Sequence, residues 1–283
     1  MSGEAYSLPA TLGPVTDDAL TSRYRVFQRT RGHRYSIDDV ATAWEAANAA
    51  PNATRVLDLG TGLGSVSISL AHALPMARVV GIEAQEISFQ LLGANVARNG
   101  LSERLRIEHG DIRDHALLDR VCTEEGPFDL VSGTPPYFLP HEATQPPDPQ
   151  KAHARFELRG GVEAYLSAAN RVVSEAGVIV ICASTKQRAR LHAAMASEGL
   201  HLHAMRDLIP REGKDPLFVL VTLRRTPIKN PITQPPFVAR NAAGERTPME
   251  RAVRGFFGMA SRPSEPPSPP SVAPAPANDS RSS

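Results

Sequence analysis

Between Arg55 and Arg225, strand-like apolar runs alternate with segments of helical period, and this alternation constrains the fold more than any other feature of the chain. Strands joined through helices run parallel, so the pattern specifies an α/β domain built on a doubly wound, mostly parallel sheet with helices on both faces. Seven strands are expected: Arg55–Leu59, Arg78–Ile82, Leu105–Glu108, Phe128–Ser132, Val178–Ala183, His201–Leu208 and Leu217–Leu223. Between them, Val66, Leu70 and Leu74 recur at one-turn steps until Pro75, and Ile87, Leu91 and Ala94 mark a helix that Gly100 closes in left-handed backbone. Tyr165, Ala169 and Val172 mark another, and Thr185 to Glu198 the last.

The flanks divide the chain further, into an arm and helix over 1–50, the α/β domain over 51–225, a basic extension over 226–260 and a tail over 261–283. In the arm, Ser36-Ile37-Asp38-Asp39 is a capping box opening a helix whose Val40, Ala43, Trp44 and Ala47 share a face. In the extension, Thr247, Pro248 and Glu250 read as N-cap, first-turn proline and capping-box glutamate of a short helix through Arg254. The tail holds seven Pro and seven Ser in 23 positions without an aromatic residue, a composition that cannot offset the entropy of ordering.

Lys and Arg number 31 against 30 Asp and Glu, so any charged surface must be local. Only two cysteines occur, which excludes a disulfide framework. His201 and His203 share a strand face with no third ligand nearby, and no metal site is expected. No apolar run is long enough to cross a bilayer and Met1 to Pro14 lacks a signal-like core, so a cytoplasmic protein is expected, and with no long apolar interface helix visible a monomer is the default.

Asp58-Leu59-Gly60-Thr61-Gly62-Leu63-Gly64 leaves the first strand and opens the first helix, where glycines permit a tight turn and close backbone approach to a ligand. Glu83 stands at the end of the next strand, 23 residues past Gly60, where a carboxylate accepts both ribose hydroxyls of an adenosine. Asp58 places negative charge where a phosphate would be repelled, so the loop suits a cationic ligand better than a dinucleotide.

These residues resemble the class I S-adenosylmethionine-dependent methyltransferases, with their Rossmann-like sheet and Asp-x-Gly-x-Gly-x-Gly loop. The resemblance implies S-adenosylmethionine as cofactor, held by Asp58, Gly60, Gly62, Gly64 and Glu83, with Asp111 and Ile112 of Gly110-Asp111-Ile112 at the adenine. After the fourth strand, Ser132-Gly133-Thr134-Pro135-Pro136-Tyr137-Phe138 is similar to the Asn-Pro-Pro-Tyr motif of methyltransferases acting on planar amino nitrogens. In such an amine the lone pair is delocalised, and acceptors on its hydrogens localise density on nitrogen for attack on the methyl. Thr134 replaces the usual Asn and offers a hydroxyl of shorter reach. The resemblance gives Thr134, Pro135 and Tyr137 the catalytic roles, Tyr137 as the ring that stacks on the target.

Gly32 to Asp38 and Ala154-Arg155-Phe156-Glu157 are similar to segments of the tRNA adenine-N6-methyltransferases, Phe156 standing where that family has His. This implies an RNA substrate, most readily tRNA, with Pro136, Phe138, Arg155 and Arg34 at the substrate. Arg23, Arg25, Arg29, Arg31 and Arg34 lie among Tyr24, Phe27 and Tyr35 with no acid from Ala19 to Ile37, a composition suited to phosphate contact and stacking. Two other readings stay open: methylation of a protein glutamine amide, whose planar nitrogen suits the same motif, and cofactor or RNA binding without catalysis.

Overall fold

The computed structural model describes residues 8–259; the expected disordered tail over 261–283 lies outside them. The chain opens with an antiparallel hairpin, β1 (Val15–Ala19) and β2 (Arg25–Arg29), and helix α1 (Ile37–Ala49). The α/β units follow as β3 (Arg55–Leu59), α2 (Ser65–Ala73), β4 (Arg78–Glu83), α3 (Glu86–Arg98), β5 (Leu105–His109), α4 (His115–Glu125) and β6 (Phe128–Gly133). Next come α5 (Pro149–Arg155), α6 (Val162–Val172), β7 (Val173–Ser184), α7 (Arg188–Ser197), β8 (His201–Ile209) and β9 (Phe218–Arg224). Two short strands, β10 (Ile232–Thr233) and β11 (Phe237–Val238), precede α8 (Pro248–Phe256).

The sheet runs β5-β4-β3-β6-β7-β9-β8, with β9 antiparallel to both neighbours and the short β10 and β11 added along β8. The seven expected strands are all present, and the two added strands come from the extension. Residue alternation sorts the core cleanly. Val56, Leu130, Val178, Val180 and Cys182 face α1, α2 and α3, whereas Leu57, Leu59, Val131, Ile179 and Ile181 face α4, α6 and α7. Each fully buried aliphatic side chain contributes roughly 1.5–3 kcal/mol, and both faces of the central strands carry them. Strand order reverses between β3 and β6, the position at which a doubly wound sheet leaves a crevice beyond its carboxyl ends.

The capping box at Ser36 forms as expected, with Asp39 Oδ2 accepting from the Ser36 amide at 2.8 Å, and Gly100 ends α3 with φ +62°. Thr247 caps α8, but the Glu250 side chain turns to Arg254 at 2.6 Å instead of closing a box. The extension packs back on the domain. Phe237 and Phe257 are fully buried, Arg206 on β8 pairs with Glu45 on α1 at 2.9 Å, and the same guanidinium donates to the Pro235 carbonyl.

Three elements differ from expectation. The arm contains a hairpin, whose five-residue strands rich in polar residues give no strand pattern in the sequence. Helix α4 was not expected, since its buried Leu117, Leu118 and Val121 make only a short stripe on a polar helix. The long loop after β6 contains α5, fixed by the Asp148 side chain accepting from the Lys151 amide and by Pro149 in the first turn.

Candidate active site

A cleft opens at the carboxyl ends of β3, β4 and β6, and its lining includes Gly60, Gly62, Glu83, Asp111, Ile112, Thr134 and Pro136. Gly60 and Gly62 adopt φ +59° and +60°, backbone that glycine takes without cost. At Gly60 a Cβ would lie 2.0 Å from the Tyr165 hydroxyl, so the missing side chain is what lets the tyrosine approach the loop. Gly64 has φ +96° at the mouth of α2 and lies behind the cleft wall, against Leu92 and Ile68.

Glu83 is buried, and its two oxygens accept from the amides of Gly62 at 2.8 Å and Gln85 at 2.7 Å. Burial pushes its carboxyl up, while these amides and the nearby Arg159 oppose the shift. Two backbone bonds leave about half of a carboxylate's acceptor sites for a ligand. Ile112 supplies an apolar wall, and Asp111 is gripped by Arg113 at 2.9 and 2.7 Å, which holds its carboxyl below the usual range.

Asp58 does not reach the cleft wall. It is 1% exposed, and its oxygens accept from Thr61 Oγ1 at 2.6 Å and Ser132 Oγ at 2.8 Å, tying the glycine loop to β6. Burial pushes its carboxyl up to about 6. Thr134 lines the cleft, half-buried, and its hydroxyl has no hydrogen-bond partner among the described residues. Pro135, next in the chain, is buried.

Tyr137 is turned away from the place expected for it. Its hydroxyl donates to Asp38 Oδ2 at 2.6 Å and its ring packs on Phe218, with centroids 4.4 Å apart. Phe138 packs between Phe156 and the Arg155 guanidinium, outside the cleft lining. Arg155 is exposed, with no ion pair among the described residues. Arg34 is also off the cleft: it pairs with Asp18 at 2.8 Å and donates to Thr16, within the hairpin. Arg25 and Arg29 are likewise paired, with Asp17 and Asp148, so three of the five arginines expected at RNA phosphates each have a carboxylate partner within the chain.

Several cleft residues were not anticipated. Asp39 faces the glycine loop from α1, and burial together with neighbouring Asp38 pushes its carboxyl up. Its place in the capping box was legible, its second role was not. Tyr165 presents a hydroxyl that has no partner among the described residues. His33 and His153 line the outer part of the cleft, and burial holds both imidazoles below their usual value. Arg159 completes the wall and donates to the Ala84 carbonyl.

Residues 51–209 match the family model described as a methyltransferase domain. The chain belongs to the methyltransferase-domain family. The tRNA1(Val) (adenine(37)-N6)-methyltransferase of Porphyromonas gingivalis strain W83 is 34% identical over 140 residues, 49% of this methyltransferase and 53% of that protein. The protein of the same name from Bacteroides thetaiotaomicron is 31% identical over 183 residues, 64% and 71% of the two chains. The matched stretch thus spans about half of the first relative and more of the second. A solved Agrobacterium tumefaciens structure titled a predicted O-methyltransferase superposes with TM-score 0.57 at 19% identity, covering 80% of this methyltransferase and 98% of that chain, which shows the shared fold.

The cofactor is S-adenosylmethionine, and the donor set fits it. Glu83 keeps free acceptor sites for ribose hydroxyls, Ile112 gives the adenine an apolar face, and the carboxyl groups of Asp39 and Asp58 stand beside the glycine loop. Among the described residues, no helix is long and apolar enough to cross a membrane.

Proposed function

We propose that this methyltransferase transfers a methyl group to an exocyclic amino nitrogen, adenine N6 in tRNA being the target that its relatives' names support best. One observation carries the reading: at the end of β6, beside the cofactor loop, the Thr134 hydroxyl lines the cleft with no hydrogen-bond partner among the described residues. When bound, S-adenosylmethionine supplies a methyl activated by its sulfonium. The Thr134 hydroxyl and the Pro135 carbonyl accept the two amine hydrogens and draw the nitrogen lone pair out of conjugation. With the methyl passed from the sulfonium, which would keep the bonding electron pair, the nitrogen held at Thr134 and Pro135 would release one proton to solvent.

Gly60, Gly62 and Gly64 shape the loop at the methionine half of the cofactor, Glu83 takes the ribose, and Asp111 and Ile112 take the adenine. Asp58 acts through Thr61 and Ser132, holding that loop to β6. Because Tyr137 is committed to Asp38 and Phe218, the target base rests on Pro136, His33 and His153 instead. Arg155, exposed beside them, meets the RNA backbone, while Phe138 supports Arg155 and Arg34 stays structural. A tRNA substrate suits a cytoplasmic protein, and a monomer is proposed with it.

Exchange of Thr134 tests this. Thr134→Val keeps the shape and removes the acceptor, and turnover on the amine substrate should fall up to about tenfold, the value of one hydrogen bond. Thr134→Asn should match or exceed the natural enzyme. Equal turnover from the natural enzyme and Thr134→Val would remove Thr134 from the reaction.

A further inference from the structure

The Thr-Pro-Pro-Tyr loop presents two proline carbonyls, and among the described residues only one of them is bonded. The Gln187 side-chain amide, in the turn after β7, donates to the Pro136 carbonyl at 3.1 Å. Among the described residues, no donor bonds the Pro135 carbonyl. We propose that Gln187 is a positioning residue that ties back the second carbonyl and so leaves the first to meet the substrate amine. The proposal rests on the reading that this loop receives the target nitrogen.

Gln187 is 4% exposed and sits in a network with no slack. The second hydrogen of its amide nitrogen goes to Glu157 Oε1 at 2.6 Å, and its carbonyl accepts from the Ser184 amide at 3.3 Å. Glu157 is held in turn by Arg190, which reaches its two oxygens at 2.8 Å each and also grips Glu163. Space for that carboxylate comes from Gly161, where a Cβ would lie 2.2 Å from Glu157 Oε2. A buried amide with every group engaged and charge-assisted partners behind it has one low-energy orientation.

The same network grips the loop through the backbone. Tyr137 and Phe138 both donate their amides to the Arg155 carbonyl, at 3.2 and 3.0 Å, and Glu157 donates to the Phe138 carbonyl at 2.9 Å. The segment carrying Glu157 and the loop carrying the prolines therefore move together, and Gln187 fastens both to α7. Because the Pro136 ring fixes its φ, holding the Pro136 carbonyl through Gln187 also limits the orientation of the preceding Pro135–Pro136 peptide, which carries the Pro135 carbonyl.

The test is Gln187→Met, which keeps the side chain's length and volume and removes both donors. Hydrogen exchange at the Tyr137 and Phe138 amides should quicken about tenfold relative to the natural protein. In methyl transfer to the amine substrate kcat should fall about tenfold, while the Kd for S-adenosylhomocysteine stays unchanged. Glu157→Gln, which keeps an acceptor but gives up the charge facing Arg190, should show a smaller change of the same kind. Unchanged exchange would overturn the proposal, and so would faster exchange with natural kcat and KM. Absence of turnover by the natural enzyme on every amine offered would overturn the methyl-transfer reading instead, and the exchange result would still decide whether Gln187 holds the loop.

Discussion

The Tyr137 hydroxyl donates to Asp38 Oδ2 at 2.6 Å across 99 residues of sequence, joining the substrate loop after β6 to the first turn of α1. Asp38 has no ion-pair partner among the described residues, and its other oxygen accepts from Ser36. The arm helix and the substrate loop are thus fastened through one buried carboxylate. Tyr137→Phe removes the donor and leaves that carboxylate short of a partner, a loss of about 1–3 kcal/mol. Thermal unfolding should show a lower Tm, by several degrees, with the cofactor Kd little altered. An unchanged Tm would mean that water replaces the hydroxyl without cost.

Gly60 and Gly62 share a left-handed backbone but not their surroundings. A Cβ on Gly62 meets nothing within 4 Å, whereas one on Gly60 meets Tyr165 at 2.0 Å. Gly62→Ala carries only the backbone strain of about 1–2 kcal/mol. Gly60→Ala adds displacement of Tyr165 from the cleft, so calorimetry with S-adenosylhomocysteine should find the larger loss of affinity for Gly60→Ala. The reverse order would contradict the account of the loop.

Glu83 is expected to dominate cofactor affinity. Glu83→Ala removes the ribose acceptor and leaves the Gly62 and Gln85 amides without their partner. Hydrogen bonds to a charged acceptor are worth about 1.5–3 kcal/mol each, so the Kd should rise by more than tenfold. A Kd within a factor of two would place the ribose elsewhere.

The buried Asp58 makes stability depend on pH in a defined direction. Its carboxyl stands at about 6 in the fold against an ordinary 3.8, so between those values the folded chain holds more protons than the unfolded one. Its contribution is therefore most favourable below 3.8 and is lost as pH rises to about 6. Asp58→Asn should abolish this part of the profile, and the stability difference between variant and natural protein should shift in the variant's favour across that window. Parallel denaturation profiles for the two would show that Asp58 titrates normally.

Much of this was legible because it is local. The glycines after β3, the apolar runs of β3 to β7 and the caps at Ser36 and Thr247 each follow from residues close in sequence. Partnerships are a different matter. Nothing near Tyr137 indicates Asp38, and nothing near Arg34 indicates Asp18, because a residue's type states what it can bond but not which distant partner folding brings to it. The same holds for Gln187, an unremarked residue in a short turn, and for Tyr165, whose apolar helical spacing masks a hydroxyl directed at Gly60. The ring expected on the base packs on Phe218 instead.

The most direct measurement incubates the purified protein with methyl-labelled S-adenosylmethionine and total tRNA, then digests the RNA and identifies the labelled nucleoside. The account predicts label in N6-methyladenosine, reduced by Thr134→Val. Label absent from RNA, with cofactor binding confirmed by calorimetry, would contradict it.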